Sequence, residues 1–267
     1  MIVTSASFCL PKQGNPAEEN EDACYPTRDG ERQGPLLKLA VADGATVTLL
    51  SRQWARLLVK TFATRGWDTP DQFLAASYRS WERWTAYYFR KREQGDRPIA
   101  WFEEPGLSEG AFSTLLGVTL RDDGTDLAGS YTVVAVGDSC LFQIRDGELI
   151  MSFPHESSGG FPSRPYLISS RPEKNSGLRE NLACCSGEWR FNDRFLLMTD
   201  ALANWFIGRY EAGERPWEVL RLLTGQDGPL GFRRWITEQR EARTIRNDDV
   251  TLISVLMGEE DENHVLA

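Results

Sequence analysis

Apolar residues recur every three or four positions in two stretches of the first third of the chain, which predicts two amphipathic helices. The first helix would have Ser51 as its cap, and its apolar face would contain Trp54, Leu57, Leu58, Thr61 and Phe62. The second would have Thr69 as its cap and Pro70 at its first position. Its apolar stripe predicts a face in the core that contains Phe73, Leu74, Ser77, Trp81, Trp84 and Tyr88.

Short apolar runs typical of strands dominate the middle and the end of the chain. The runs are LKLAVA, FSTLLGVTL, SYTVVAVGD, CLFQI, LIMSF, RFLLMT and DVTLISVLM, and a hairpin-like start precedes them in ENEDACYPTRDGERQG. Asp146-Gly147 predicts a tight hairpin. Helical patterns return at ALANWFIG, PWEVLRLL and GFRRWITEQREA. Since strands and helices come in blocks and do not alternate, the pattern predicts an α+β fold with antiparallel sheets and helices packed outside.

The chain shows no repeat and no linker, so we expect residues 1–258 to form a single domain. Residues 155–187 are rich in Ser, Pro, Gly and Arg, which predicts a partly irregular surface insertion. Residues 259–267 form an acidic tail. A content of 41% hydrophobic and 26% charged residues in 267 is typical of a globular protein with a substantial core.

The formal net charge of −9 argues against nucleic acid and against an anionic membrane surface as partners, since both attract basic proteins. The longest apolar runs are too short to cross a bilayer. The first residues lack the basic and apolar regions of a signal peptide, so we expect a cytoplasmic protein. The five cysteines lack a Cys-x-x-Cys motif and are expected to be buried free thiols.

Acidic residues stand at the ends of several predicted strands. Asp43, Asp138 and Asp200 each follow an apolar run, the Asp248-Asp249 pair opens the last run, and Glu21-Asp22 precedes the first strands. One such acid is commonly a turn residue or a helix cap. Several of them together suggest a site for hard divalent cations, because Mg²⁺ and Mn²⁺ prefer carboxylate and carbonyl oxygens.

Other catalytic chemistries are poorly represented. The two histidines, His155 and His264, are too few for a histidine-based zinc site, and His155 is expected to be a loop residue. The sequence contains neither a Gly-x-Ser-x-Gly elbow nor a Gly-Lys-Ser/Thr phosphate loop. Ser139 is interpreted as a strand or turn residue and not as a nucleophile.

Six short motifs, taken in order, resemble those of the metal-dependent protein phosphatases of type 2C, in particular a bacterial branch. They are NEDA (20–23), ADGA (42–45), FSTLLG (112–117), GDS (137–139), TDA (199–201) and DDVT (248–251). The resemblance runs from residue 20 to residue 256. It implies a four-layer α-β-β-α sandwich of two antiparallel sheets flanked by helices, with metal ions between the sheet ends.

The resemblance also implies the chemistry, in which a water activated between two Mn²⁺ or Mg²⁺ ions hydrolyses a phosphoserine or phosphothreonine of a protein. Asp43 would bridge both ions, and Asp22 would hydrogen-bond a metal-bound water. The remaining ligands would be Asp200 and Asp248 for the first ion, Glu21 and the Gly44 carbonyl for the second, and Asp138 for a weaker third ion. An opposing Ser/Thr kinase is the expected partner.

The sequence departs from the family where an arginine usually grips the substrate phosphate, since that position is Ala17. Arg52 is the hypothesised replacement, and a surface ion pair is the alternative interpretation of this residue. The departure leaves a second function open, a catalytically weak or inactive binding or regulatory module. Hydrolysis of a small phosphorylated metabolite is a third. Residues 155–187 stand where the family often has a flap and are expected to influence the choice of protein substrate.

Overall fold

The computed structural model describes residues 1–45, 50–95, 103–125, 128–225 and 228–258. The predicted acidic tail, 259–267, lies outside the described residues. The strands are β1 (Ile2–Leu10), β2 (Ala23–Tyr25), β3 (Gly30–Gln33), β4 (Leu36–Ala42), β5 (Phe112–Ser113), β6 (Leu115–Thr125), β7 (Ala128–Val136), β8 (Cys140–Arg145), β9 (Glu148–Phe153), β10 (Ile168–Ser169), β11 (Leu182–Arg190), β12 (Arg194–Met198) and β13 (Val250–Met257). The helices are α1 (Ser51–Arg65), α2 (Pro70–Gln94), α3 (Glu104–Glu109), α4 (Asp200–Glu211), α5 (Pro216–Gly225) and α6 (Gly228–Glu241).

Two antiparallel sheets contain most of the strands. The first sheet has the order β3-β1-β13-β12-β8-β9, and the second has the order β11-β7-β6-β4-β2. β5 and β10 pair with each other as a short separate ribbon. The hairpin between β8 and β9 turns at Asp146 and Gly147, which both have positive φ, as the sequence predicted.

Three apolar clusters arrange these elements in four layers. Residues of both sheets fill the layer between them, among them Val3, Leu39, Val41, Leu116, Val118, Phe195, Leu197, Ile253 and Val255. α4, α5 and α6 cover the outer face of the first sheet through residues such as Leu202, Phe206, Leu220 and Phe232. α1 and α2 cover the second sheet through residues such as Trp54, Leu58, Phe62 and Phe73. The predicted α+β fold with an α-β-β-α layer order is confirmed.

The starts of the first two helices differ in how well they were predicted. α2 begins as expected, because the Thr69 side chain accepts a hydrogen bond of 3.2 Å from the backbone N–H of Gln72 and Pro70 is the first helical residue. In α1 the predicted cap is wrong by one position. Leu50 holds the cap position in the left-handed conformation with φ 67, so Ser51 lies in the first helical turn.

The aromatic stripe of α2 is core along only part of its length. Phe73, Leu74 and Ser77 are buried against α1 and the second sheet. The last three residues of the stripe, Trp81, Trp84 and Tyr88, are half-buried and stack on one another at centroid distances of 5.5 and 5.1 Å. The end of α2 therefore extends beyond the sheet that its beginning covers.

Three strands were not predicted, namely β1, β10 and β11. β1 pairs with β13 and β3. β11 pairs along its whole length with β7, so residues 182–187 are strand and not part of a surface insertion. The rest of that segment is partly anchored, because Ile168 and Leu178 are buried in the cluster under α1 and α2.

The cysteines are free in the described residues, but their expected burial is wrong for four of the five. Cys140 alone is buried, Cys24 and Cys185 are half-buried, and Cys9 and Cys184 are exposed. None of the helices in the described part of the chain is both long enough and apolar enough to cross a membrane.

Candidate active site

Strand register brings three of the predicted site residues to the same end of the second sheet. Ala23, the first residue of β2, pairs with Ala42, the last residue of β4. Asp22, just before β2, and Asp43, just after β4, therefore lie at the same end of the sheet. β6 begins and β7 ends at this end too, where Leu115 pairs with Val136. Asp138 follows two residues after Val136, in the connection that leads to the first sheet.

The first sheet presents its acids at the matching end. Met198, the last residue of β12, pairs with Leu252 of β13 and with Cys140 of β8. Asp200 lies two residues beyond β12, and Asp248 and Asp249 come immediately before β13 begins. Because β8 begins directly after the Asp138 turn, the acidic ends of both sheets meet around this connection.

Two threonines hold Asp22, Thr199 directly after β12 and Thr251 in β13. Its Oδ2 accepts hydrogen bonds from the hydroxyls of Thr199, at 3.0 Å, and Thr251, at 2.8 Å. The backbone N–H of Asp22 donates to Asn20 Oδ1 at 2.9 Å. Asp22 is 5% exposed, and its Oδ1 has no hydrogen-bond partner in the described part of the chain. One carboxylate oxygen is thus fixed, and the other is left for a ligand or a solvent molecule.

Thr114 connects the Asp43 loop with the Asp138 turn. The Asp43 N–H donates to Thr114 Oγ1 at 2.9 Å, and the Asp43 carbonyl accepts from Thr114 N at 2.8 Å. Thr114 Oγ1 also lies 3.1 Å from Ser139 Oγ. Ser139 is therefore engaged in the turn, as expected from the sequence.

Two cations contact the acids of the first sheet. Arg246 Nη2 forms an ion pair with Asp200 and another, of 2.8 Å, with Asp248. Lys12 Nζ lies 3.2 Å from Asp248 and 4.0 Å from Glu21. These side chains connect Asp200, Asp248 and Glu21, which are distant in the sequence.

Asp249 has a structural role next to these cations. Its carboxylate accepts hydrogen bonds from the backbone N–H groups of Lys12, at 2.8 Å, and Glu21, at 2.7 Å. It thereby ties the segment before β2 to the start of β13. Sequence reasoning did not identify Lys12, Arg246, Thr199 or Thr251, although both threonines belong to the motifs that supplied the acids.

Gly44 touches the backbone of the Glu21 segment. A Cβ built on Gly44 would lie 2.9 Å from the carbonyl oxygen of Glu21 and 2.9 Å from the carbonyl carbon of Ser51. Since Cβ atoms do not approach other atoms so closely, only glycine fits this position. The structure therefore places Gly44 beside Glu21, the other residue predicted to hold the second ion.

The acids repel one another. Burial, followed by the charges of Asp200, Asp248 and Asp138, raises the pKa of Asp43 well above its usual range. Burial and then Asp200 raise the pKa of Asp138 to about 7. Burial is also the first cause that raises the pKa of Asp200 and that of Asp22. A site that concentrates carboxylates in this way attracts cations.

The carboxylate oxygens of these acids are suitable ligands for divalent cations. Asp22, Asp138 and Asp200 each have one buried carboxylate oxygen without a hydrogen-bond partner in the described part of the chain. Such oxygens are the ligands that Mg²⁺ and Mn²⁺ prefer. Within the described ranges, however, no three acidic, histidine or cysteine side chains already form a group able to hold an ion. Among the described residues, Arg246 pairs with Asp200 and Asp248, and Lys12 pairs with Asp248 and Glu21.

A pocket of about 770 Å³ opens beside Asp22, and Ala17, Asn20 and Arg52 also line it. The Arg52 guanidinium donates to the backbone carbonyls of Glu18 and, at 3.4 Å, of Ala17. Its alternative interpretation as part of a surface ion pair is wrong for the described residues, since it pairs with none of their carboxylates. The Arg52 guanidinium of α1 thus contacts the backbone of Ala17, the position of the family's usual arginine.

Solved structures of phosphatases resemble the whole chain. The serine/threonine phosphatase PstP/Ppp of Mycobacterium tuberculosis is 17% identical, with a TM-score of 0.56 over 97% of this chain and 100% of that one. A second structure of the PstP catalytic domain holds two manganese ions. The photosystem II phosphatase PBCP is 15% identical, with a TM-score of 0.55 over 96% of this chain and 99% of that one.

PppA of Pseudomonas aeruginosa, described as a regulatory component of its T6SS, is 20% identical, with a TM-score of 0.50 over 95% of this chain and 96% of that one. No family model and no curated protein matches the sequence. At these identities the similarity concerns the fold. The chain has the fold of the type 2C protein phosphatases.

Proposed function

We propose that this protein is a metal-dependent phosphoserine/phosphothreonine phosphatase. The observation that carries the proposal is the convergence of acids from five separate segments at one end of the two sheets. Three of their buried carboxylate oxygens have no hydrogen-bond partner among the described residues. Structures with the same fold include serine/threonine phosphatases, one of them with two manganese ions. The fold and the donor chemistry support the same reaction class.

The proposed ligand set is the one that the resemblance to the type 2C phosphatases implies, and the convergence of the acids supports it. Asp43 would bridge two ions, Mn²⁺ or Mg²⁺, and the other ligands would be Asp200 and Asp248 for the first ion, Glu21 and the Gly44 carbonyl for the second, and Asp138 for a weaker third ion. When bound, such ions supply an activated water and neutralise phosphoryl charge. Asp22, held by two threonine hydroxyls, would accept a proton or hydrogen bond at its free oxygen, and Arg52 would bind the substrate phosphate.

The proposal includes a phosphorylated protein as the substrate, an opposing Ser/Thr kinase and a cytoplasmic location. The kinase follows from the reaction, because the protein phosphoester must be formed before it can be hydrolysed. The size of the pocket beside Asp22 supports a substrate larger than a phosphate ion.

The direct test measures phosphate release from p-nitrophenyl phosphate and from a phosphoserine peptide. We expect release with Mn²⁺, none in EDTA, and a loss of about 100-fold in Asp200→Asn, because the loss of a metal ligand removes several kcal/mol of transition-state stabilisation. The matched control is Asp71→Asn, since Asp71 is exposed and pairs with Arg179 on the surface. Equal activity of the Asp200→Asn and wild-type proteins would contradict the proposal.

A regulatory module without turnover is the second candidate. It is favoured by Ala17, which stands where the family usually has a phosphate-binding arginine. This function predicts Mn²⁺ binding by calorimetry but no phosphate release from any phosphopeptide or small phosphorylated metabolite.

A further inference from the structure

The pocket beside Asp22 has an unusual charge composition for an acidic protein. Four basic side chains line it, and Asp22 is its one lining carboxylate in the described residues. Arg52, Arg56 and Lys60 come from α1, whereas Arg233 comes from α6. The chain carries a net charge of −9, so this concentration of positive charge is local.

None of the described carboxylates forms an ion pair with the basic side chains of the pocket. Arg56, Lys60 and Arg233 are exposed. Arg52 lies close enough to Arg56 for the two guanidinium groups to repel each other. Like charges held together without an ion-pair partner favour an anionic ligand.

The basic residues of α1 have a regular spacing. Arg52, Arg56 and Lys60 follow one another at intervals of four residues, so they share one face of the helix at about 6 Å per step. Val59, Ala63 and Thr64 line the same pocket, which makes this face of α1 its wall. An extended peptide places every second side chain on one side, about 7 Å apart. The spacing of the basic side chains along α1 therefore nearly matches the spacing of alternate side chains along an extended peptide over two steps.

We propose that this pocket selects acidic phosphopeptides, with the phosphate at Arg52 and carboxylates two and four positions away at Arg56 and Lys60. Arg233, on the opposite helix, adds positive charge to the same pocket. The inference rests on the proposed function, which places the reacting phosphate beside Asp22. It adds a specificity that follows from residues of this chain alone.

The test compares two peptides that carry a non-hydrolysable phosphonate analogue of phosphoserine and have the same net charge. One has aspartates at the second and fourth positions on both sides of the analogue, and the other has them at the first and third. Fluorescence anisotropy with the full chain and Mn²⁺ measures the affinities. We expect the even-position peptide to bind about three- to tenfold tighter at low salt, from two exposed ion pairs, and added salt to reduce this ratio.

Paired variants locate the effect. The double variant R56Q/K60Q is expected to bring the two affinities within about twofold of each other. R79Q/R83Q removes the same charge from the exposed face of α2 and is expected to keep the wild-type ratio. Equal affinities in the wild-type protein, or an unchanged ratio in R56Q/K60Q, would overturn the inference. So would stronger competition by a single-stranded oligonucleotide of the same charge.

These measurements need no turnover, so they separate this inference from the proposed function. A protein that prefers the even-position peptide but releases no phosphate would contradict the proposed phosphatase activity and support the proposed selectivity of the pocket. A protein that hydrolyses phosphopeptides but shows no preference between the two peptides would contradict only the proposed selectivity of the pocket.

Discussion

Gly44 lies where the loop after β4 meets the backbone of the Glu21 segment. Alanine at this position would bring a methyl group to 2.9 Å from two backbone atoms, which cannot move as a flexible side chain would. We expect Gly44→Ala to lower the free energy of unfolding by about 1–3 kcal/mol and to weaken Mn²⁺ binding. Urea unfolding measures the first effect, and titration calorimetry measures the second.

Gly159→Ala is the matched control, because Gly159 is exposed and a Cβ there would have no atom within 4 Å. We expect a change of less than about 0.5 kcal/mol for this variant and unchanged Mn²⁺ binding. If both alanine variants behaved alike, the close approach of Gly44 to Glu21 would not matter for the site.

Single residues of the site differ in how far the sequence could predict them. Asp43 and Asp200 each follow an apolar run. A charge at the end of a buried strand must be paired or bound to an ion, so the local sequence alone marks these two residues as candidates for a site. Arg246 and Lys12 look like ordinary surface cations in the sequence. Their contacts with the acids arise only when β12, β13 and the segment before β2 come together, so no local pattern could predict them.

At the scale of elements, periodicity predicted the amphipathic helices and the apolar strands, because each has one face in a core. β11 was missed, since Cys184, Ser186 and Glu188 are exposed and only Trp189, its penultimate residue, is deeply buried. Its pairing with β7 fixes it as a strand. Long-range pairing of this kind leaves little trace in the sequence of an edge strand.

The segment between β9 and β11 combines a predicted surface loop with a structural anchor. Asn175 is buried, its Oδ1 accepts from the Ser169 N–H at 2.9 Å, and its amide donates to Tyr78 OH at 2.6 Å and to the Ser169 carbonyl at 2.8 Å. Trp54 Nε1 also donates to the Ile168 carbonyl at 2.8 Å. Deleting all of residues 155–187 would therefore disturb α1 and α2 as well as any specificity.

We expect Asn175→Ala to lower the free energy of unfolding by about 2–3 kcal/mol, because it leaves the buried Ser169 N–H without a partner. Asn181→Ala is the control, since Asn181 is exposed and donates to the carbonyl of Gly177 nearby in the sequence. It should cost less than about 1 kcal/mol. Chemical denaturation of both variants measures the difference, and similar values for the two would show that the segment is not anchored through Asn175.

At the scale of the whole molecule, an apolar layer holds the two sheets together at their centre, and acids that repel one another gather at one end. The apolar layer accounts for the fold, and its alternating residues made the α+β class predictable from the sequence. The acids oppose folding unless a cation compensates them, which is the trade between stability and activity expected at a functional site. The sequence predicted which acids converge, whereas the cations that lie among them are tertiary features.

This trade predicts opposite effects of the same substitution with and without metal. Asp43→Asn removes one repelling charge, so we expect it to raise the Tm in EDTA by about 2–4 °C. Mn²⁺ at about 100 times its Kd should raise the Tm of the wild-type protein by about 5–10 °C, since binding to the folded state alone adds about 2.7 kcal/mol, and this rise should disappear in Asp43→Asn. Asp193→Asn is the control, because Asp193 is buried but accepts hydrogen bonds from Arg145 at 2.6 and 2.8 Å and from Gln143 at 2.8 Å. It should lower the Tm in EDTA, since it removes one partner of a buried ion pair.

The outcome that contradicts this prediction is a calorimetric measurement in EDTA in which Asp43→Asn is as destabilising as Asp193→Asn. The protein itself would then already compensate the charge of Asp43, and a metal ion would have no charge to neutralise there.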